Sequence, residues 1–274
     1  MSPADIDFVC NLAVEAGKVA LSMQKGVHVS EKAPGDYVTD ADKAVSRLIV
    51  AALAQRMQDD LIVSEEGDRQ QARSQRTWLI DPIDGTDHYM KNSRQYSVMI
   101  GLLVDGNPHF GWVYEPTEEK LYFGGREHGA FKQEGNRSAE PLAPMEHLSK
   151  QEVKRIIIGR RDARNRPWLE PMSSLRLFQV GSVGVKVIFV LENRADMVAQ
   201  LHGRMNVWDS AGPAALALAA GLEVGSGDAL SDGLPYPELF EESTFRQTFP
   251  IVIGRPGTLE WARQYLMQEP QARG

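Results

Sequence analysis

Trp78-Leu79-Ile80-Asp81-Pro82-Ile83-Asp84-Gly85-Thr86 is the stretch on which the reading of this chain turns. An apolar run of buried-strand length delivers two aspartates three residues apart, then Gly-Thr. Carboxylates at the end of a buried strand are costly unless something neutralises them. A hard divalent cation does so, and Mg²⁺ takes oxygen ligands while keeping waters for chemistry. Asp81 and Asp84 flank a proline-stiffened turn and reach such an ion from two sides, with the Ile83 carbonyl between them. Gly85-Thr86 reads as the start of a helix whose free N–H groups would hold a phosphate. The competing reading is a plain tight turn, because Asp-Pro and Asp-Gly favour turns on their own.

Three further clusters surround this stretch. Leu61 to Ser64 is a short apolar strand, and Glu65-Glu66-Gly67 follows it, again placing acids at a strand end or in a solvated loop. Thr39-Asp40-Ala41-Asp42 opens a helix that carries Val45, Leu48, Ile49, Ala52 and Leu53 on one face. Acids at a helix start are favourable as caps alone. Trp208-Asp209 opens an Ala-rich helix, Ser210 to Ala220, that stops at Gly221, and capping explains its acid equally well.

Elsewhere the pattern alternates. Ser2-Pro3 and Asp5 mark a helix start, and Ile6, Val9, Ala13, Ala16 and Ala20 recur at helical spacing. Gly26 to Tyr37 breaks that spacing at Pro34-Gly35. Tyr96 to Val104 and Phe110 to Tyr114 are strands joined by the turn Asp105-Gly106-Asn107, and Lys120 to Phe123 adds another. Past about Ala143, strands at Arg155 to Gly159, Arg176 to Val180 and Asp196 to Leu201 alternate with a helix at Val183 to Glu192. The expectation is an α+β half, 1–142, and an α/β half, 143–274, in one compact catalytic unit. A chain of 274 residues can bury the core this needs.

The net charge of -7 argues against a nucleic acid polymer or an anionic membrane as partner. It leaves room for an anionic small molecule, since a bound cation inverts the local charge. The start, Met1 to Ile6, has no basic region followed by an apolar stretch, and no apolar run approaches the ~18 residues of a membrane span. The expected location is cytoplasmic. Cys10 lies among Val9, Leu12 and Ala13 and is read as core packing.

Taken together, the four acidic clusters resemble the inositol monophosphatase superfamily. Its signature, Asp-Pro-Ile/Leu-Asp-Gly-Thr, stands intact at Asp81 to Thr86. Its Glu-Glu pair falls at Glu65-Glu66, and its Trp-Asp motif at Trp208-Asp209. The resemblance implies a layered α-β-α-β-α sandwich of the sugar-phosphatase type. It implies a Mg²⁺-dependent, lithium-sensitive phosphomonoesterase using two or three ions, with Glu65, Asp81, the Ile83 carbonyl, Asp84 and Asp209 as metal ligands. Asp42, Glu65 and Thr86 would serve catalysis, with Asp42 and Thr86 orienting the attacking water. Gly85 and Thr86 would bind phosphate, and Glu66 would stand outside the ligand set. The partner is a small phosphorylated metabolite, and a homodimer is compatible with the resemblance.

For the substrate, Gly85-Thr86-Asp87-His88-Tyr89 departs from the Gly-Thr-Thr-Asn-Phe of inositol monophosphatases and from the Gly-Thr-Lys-Glu-Phe of bisphosphate nucleotidases. Gly181-Ser182-Val183-Gly184-Val185-Lys186 looks nucleotidase-like, which implies that Lys186 and Ser182 contact substrate. Arg160 or Arg161 would grip a phosphate, or form a basic loop, and His202 and Arg204 lie near the same rim. His88 reads as a rim or packing residue and Asp87 as a surface or metal-site acid. Hydrolysis of the 3'-phosphate of adenosine 3',5'-bisphosphate is the leading expectation. An inositol, sugar or histidinol phosphate is the alternative, favoured where a Glu occupies the strand in which this chain has Gln200.

Overall fold

The computed structural model describes residues 1–267 except 34–35, 68, 71–74, 171, 173–174, 179, 202–204, 228–229, 233–244 and 248. In chain order the first part gives α1 (Pro3–Met23), β1 (Val29–Ala33), β2 (Asp36–Thr39), α2 (Asp40–Arg56), β3 (Leu61–Ser64), β4 (Arg69–Gln70), β5 (Arg76–Asp84) and α3 (Thr86–Met90). Then come β6 (Ser97–Val104), β7 (Asn107–Glu115), β8 (Lys120–Gly125), β9 (Gly129–Glu134), β10 (Glu140–Pro141) and β11 (Arg155–Ile158). The rest is α4 (Arg160–Arg164), β12 (Arg176–Phe178), α5 (Val183–Leu191), β13 (Met197–Gln200), β14 (Met205–Asn206) and α6 (Val207–Ala219). It closes with β15 (Glu223–Ser226), β16 (Ser231–Asp232), β17 (Arg246–Gln247), β18 (Ile251–Gly254) and α7 (Thr258–Tyr265).

Ser2 caps α1 by accepting the Asp5 N–H at 3.2 Å, as its place before Pro3 requires. Two turn residues with positive φ, Asp105 at 50° and Gly106 at 73°, close the β6–β7 hairpin. Asn107 already belongs to the strand, with its amide donating to the Asp105 carbonyl at 3.0 Å. Glycine and a short acid tolerate this left-handed pair.

Eight strands form the first sheet in the order β10-β9-β8-β7-β6-β5-β3-β4, antiparallel throughout except that β3 and β5 run parallel. Helices α1 and α2 cover one face, giving a core of Val9, Ile49, Trp78, Ile80, Val98 and Trp112. Helices α5 and α6 cover the other, over Leu79, Met99 and Val113. They also pack on the second sheet, ordered β12-β11-β13-β18-β15-β16. Alternate residues of β11 divide between its faces: Ile157 joins α5 and α6, while Ile156 and Ile158 join the α7 side with Trp261. The result is five layers, α-β-α-β-α, as the resemblance implied.

The α/β reading of the second half holds only for β12, β11 and β13, which are parallel. Strands β18, β15 and β16 pair antiparallel. The segment between β15 and β16 is too short for the crossover a parallel pair needs. Cys10 sits in the α1–α2 core, and burial pushes its thiol up to about 12, out of reach of catalytic use.

Helix α6 lies unusually close to the first sheet. Gly101 and Gly111 face each other across β6 and β7, and Gly212 of α6 rests on them. A Cβ at Gly111 would come 1.9 Å from the Gly212 carbonyl oxygen, so only glycine admits this contact. The first turn of α6, with Asp209, is thereby drawn down toward the end of β5.

Candidate active site

A regular strand would send Asp81 and Asp84 to opposite faces, because they are an odd number of residues apart. A bulge prevents this. Asp81 pairs with Met99 and Asp84 with Ser97, so three steps on β5 match two on β6. Both carboxylates therefore share the face that looks toward α5 and α6, while Ile83 turns into the core beneath α1 and α2. Pro82 is tolerated because a bulge asks for no ladder donor there.

The neighbouring strand supplies the next acid. Since β3 runs parallel to β5 with Ser64 opposite Ile80, Glu65 emerges beside Asp81, and its N–H donates to the Ile80 carbonyl at 3.0 Å. From above, α6 brings Asp209. Oxygens of Glu65, Asp81 and Asp209 lie within 4.8 Å of one another. Oδ2 of Asp209 accepts the Asn206 N–H at 2.7 Å, which fixes the carboxylate. So Asp209 is a cap, as one reading had it, and a member of the cluster as well.

Asp84 is held hard. Its Oδ2 accepts from the Gly184 N–H at 2.7 Å, from Ser97 Oγ at 3.2 Å and from Ser182 Oγ, and Oδ1 accepts nothing among the described residues. This corrects the assignment of Ser182 to the substrate. Ser182 is the N-cap of α5, fully buried, and its hydroxyl serves Asp84 and the Val185 N–H instead. Ser97, which lies 2.9 Å from Ser182 Oγ, went unnoticed in the sequence because a lone serine in an apolar strand carries no signal.

Asp42 also plays two parts. Its Oδ2 accepts the Thr39 N–H at 2.7 Å and hydroxyl at 2.5 Å, completing a capping box on α2. Its Oδ1 lies 3.4 Å from the Thr86 hydroxyl, which also sits 3.1 Å from the Ile83 carbonyl. Thr86 opens α3 after Gly85, whose φ of 95° suits glycine. A second residue missed in the sequence is Lys32 of β1, which reaches Glu66 at 2.8 Å and Glu65 at 3.3 Å. Nothing in the polar run Val29–Ala33 singles it out.

Burial, then repulsion from Glu65, Asp84 and Asp209, pushes the Asp81 carboxyl well above the usual range. Burial and Glu65 do the same to Asp209. Burial raises Glu65 to about 7 against the pull of Lys32, and burial raises Asp42. Asp81 Oδ1 is sealed from solvent with no hydrogen-bond partner among the described residues. Carboxylates in this state need a cation to be ionised at neutral pH. An all-oxygen set with an orphaned buried oxygen fits a hard divalent ion such as Mg²⁺.

Lys186, on the first turns of α5, is 7% exposed and its ammonium has no partner among the described residues. Burial lowers its pKa, opposed by Asp84, Asp209 and Asp162. His88 packs on Gly181, where an added Cβ would meet the ring at 2.1 Å, so it is a packing residue. Asp87 belongs to α3 and Gln200 to β13, where Gln200 is buried. Arg160 and Arg161 belong to α4, and their side chains, like His202 and Arg204, lie outside the described residues.

Five layers around a cluster of carboxylates at the end of β5 are the frame of a phosphoric monoester hydrolase. A model of the inositol monophosphatase family matches residues 4–231, and the chain belongs to that family. It is 31% identical to the 3'(2'),5'-bisphosphate nucleotidase CysQ of Escherichia coli (strain K12) over 231 residues, 80% of this chain and 89% of that one. It is 27% identical to inositol monophosphatase 1 of Rattus norvegicus, over 79% of this chain and 81% of that one. In structure it is similar to an IMPase from Thermotoga maritima, with a TM-score of 0.79, 22% identity and coverage of 96% of each chain. Among the described residues, no helix is long and apolar enough to cross a membrane.

Proposed function

We propose that this phosphatase is a Mg²⁺-dependent 3'(2'),5'-bisphosphate nucleotidase acting on adenosine 3',5'-bisphosphate. Lys186 carries the reading. A buried ammonium with no partner among the described residues, beside an acidic cluster, is costly unless a ligand uses it. A substrate with one phosphate is served by the metal site alone. A second phosphate needs a cation from the chain, and Lys186 would supply one. The likeness to a bisphosphate nucleotidase at 31% identity supports the same substrate class.

Glu65, Asp81, Asp84, Asp209 and the Ile83 carbonyl would hold the ion. When bound, Mg²⁺ supplies neutralisation of the phosphate charge and acidifies water. The chain does the positioning, which is most of what phosphoryl transfer requires. Ser97, Ser182 and the Gly184 N–H fix Asp84 through Oδ2, which would leave Oδ1 for the ion. Water held on the Thr86 hydroxyl would pass a proton toward Asp42 Oδ1, whose burial raises its affinity for that proton. Gly85 and Thr86 would bind the scissile phosphate, and Lys186 would hold the second one.

Phosphate release from adenosine 3',5'-bisphosphate and from myo-inositol 1-phosphate, measured side by side with Mg²⁺, tests this. A kcat/KM preference of ~100-fold for the nucleotide, about 2.7 kcal/mol, is expected. Preference for the inositol phosphate would replace the nucleotidase reading with the monophosphate one.

A further inference from the structure

A cavity of about 410 Å³ lies at the opposite end of the second sheet from α4 and the carboxylate site. It opens where β11 and β12 begin, between Leu148 and Leu175. Four of its lining residues are cations, Lys154, Arg155, Arg176 and Arg255, against two carboxylates, in a chain whose net charge is -7. Both carboxylates are already engaged. Asp196, 1% exposed, accepts the Lys154 N–H at 2.9 Å and the Arg155 N–H at 2.8 Å, and the Arg155 guanidinium at 2.6 and 3.1 Å. Glu152 accepts the Ser149 hydroxyl at 2.6 Å and N–H at 2.8 Å.

The cations divide differently. Arg155 and Arg255 are anchored, both on Asn193, and Arg255 is 7% exposed. Lys154 and Arg176 have no side-chain partner among the described residues. Their backbones are tied, because the Arg176 N–H donates to the Lys154 carbonyl at 2.6 Å. Two cations without a side-chain partner among the described residues thus stand side by side at one mouth, next to guanidinium groups already held in place. A lysine and an arginine side by side suit a tetrahedral oxyanion, which the guanidinium binds with directed hydrogen bonds.

We propose that this cavity is a second, non-catalytic site for a phosphate or sulfate group on a small metabolite. The two leucines flank space for the body that carries the group. The inference does not depend on which phosphate ester the enzyme hydrolyses.

Calorimetric titration of the full chain, stripped of divalent ions by chelation, tests it. Without a metal the catalytic site lacks the cation that would hold an anion there, so binding at that site is suppressed. Inorganic phosphate, inorganic sulfate and adenosine 5'-phosphate are the probes. Saturable binding at one site is expected, weakened about tenfold or more in the Lys154→Glu, Arg176→Glu double variant and unaltered in Lys186→Ala. Both altered residues are exposed, so the fold is retained, and a single Lys154→Gln variant gives a milder check. Tighter binding of adenosine 5'-phosphate than of phosphate assigns the ligand to an ester, and equal binding assigns it to the free ion. No saturable binding by any probe, binding that survives the double variant, or binding lost in Lys186→Ala overturns the proposal.

Discussion

Asp84 shows how one side chain can be spent on two tasks. Three donors hold Oδ2, while Oδ1 accepts from none of the described residues and would be left for an ion. Ser182→Ala removes one of those donors without touching substrate. It should lower kcat about tenfold with little change in KM, the usual scale for disturbing the support of a metal ligand. A rise in KM alone would return Ser182 to the substrate site. Lys186→Ala should weaken turnover of bisphosphate substrates more than monophosphates, and equal loss on both would remove Lys186 from substrate binding. Away from the site, burial and then the Glu192 carboxylate push Glu115 up to about 7, against Lys120. An unfolded chain releases that proton near 4.5, so the stability Glu115 contributes is complete below this pH and is lost as pH rises through about 7. Glu115→Gln should therefore melt higher than the parent at about pH 8 and equally at about pH 4. A pH-independent difference in melting temperature would contradict the assignment.

At the scale of elements, the site depends on a bulge and on a helix set close to a sheet. The sequence announced the carboxylates, because Asp-Pro-Ile-Asp at the end of Trp78 to Ile80 combines burial with charge. It could not announce the bulge, since register emerges only when β5 meets β6. Capping and catalysis stayed inseparable at Asp42 and Asp209 for a physical reason: each carboxylate has two oxygens and uses them differently. The hairpin β1–β2 was illegible because both faces of Val29–Ala33 are largely exposed, so no alternation marks it. Its Lys32 nonetheless reaches the acids of β3. The glycine contact is testable. Gly111→Ala forces α6 off the sheet, so it should cost at least ~2 kcal/mol. That corresponds to a fall of about 4–8 °C in Tm. Activity should fall further than stability explains, because Asp209 moves with α6. Full activity at an unchanged Tm would show that α6 tolerates the displacement.

At the scale of the whole molecule, two sheets share one pair of helices. The first sheet offers Asp81, Asp84 and Glu65 from β5 and from the end of β3. The shared helix layer brings Asp209 on α6 onto Glu65 and Asp81, and Lys186 on α5 within the field of Asp84 and Asp209. The five-layer order followed from the family resemblance and not from periodicity, which read the second half as more parallel than it is. A chain of net charge -7 thus gathers its most deeply buried carboxyls at one seam, where an ion would relieve them. The most direct measurement is phosphate release by the parent chain and by Asp84→Asn, each with saturating Mg²⁺ and after chelation. The parent should turn over only with the ion, and folded Asp84→Asn should lose at least ~100-fold in kcat with it. Undiminished release by the chelated parent, or near-parental turnover by a folded Asp84→Asn chain, would contradict the metal-centred account.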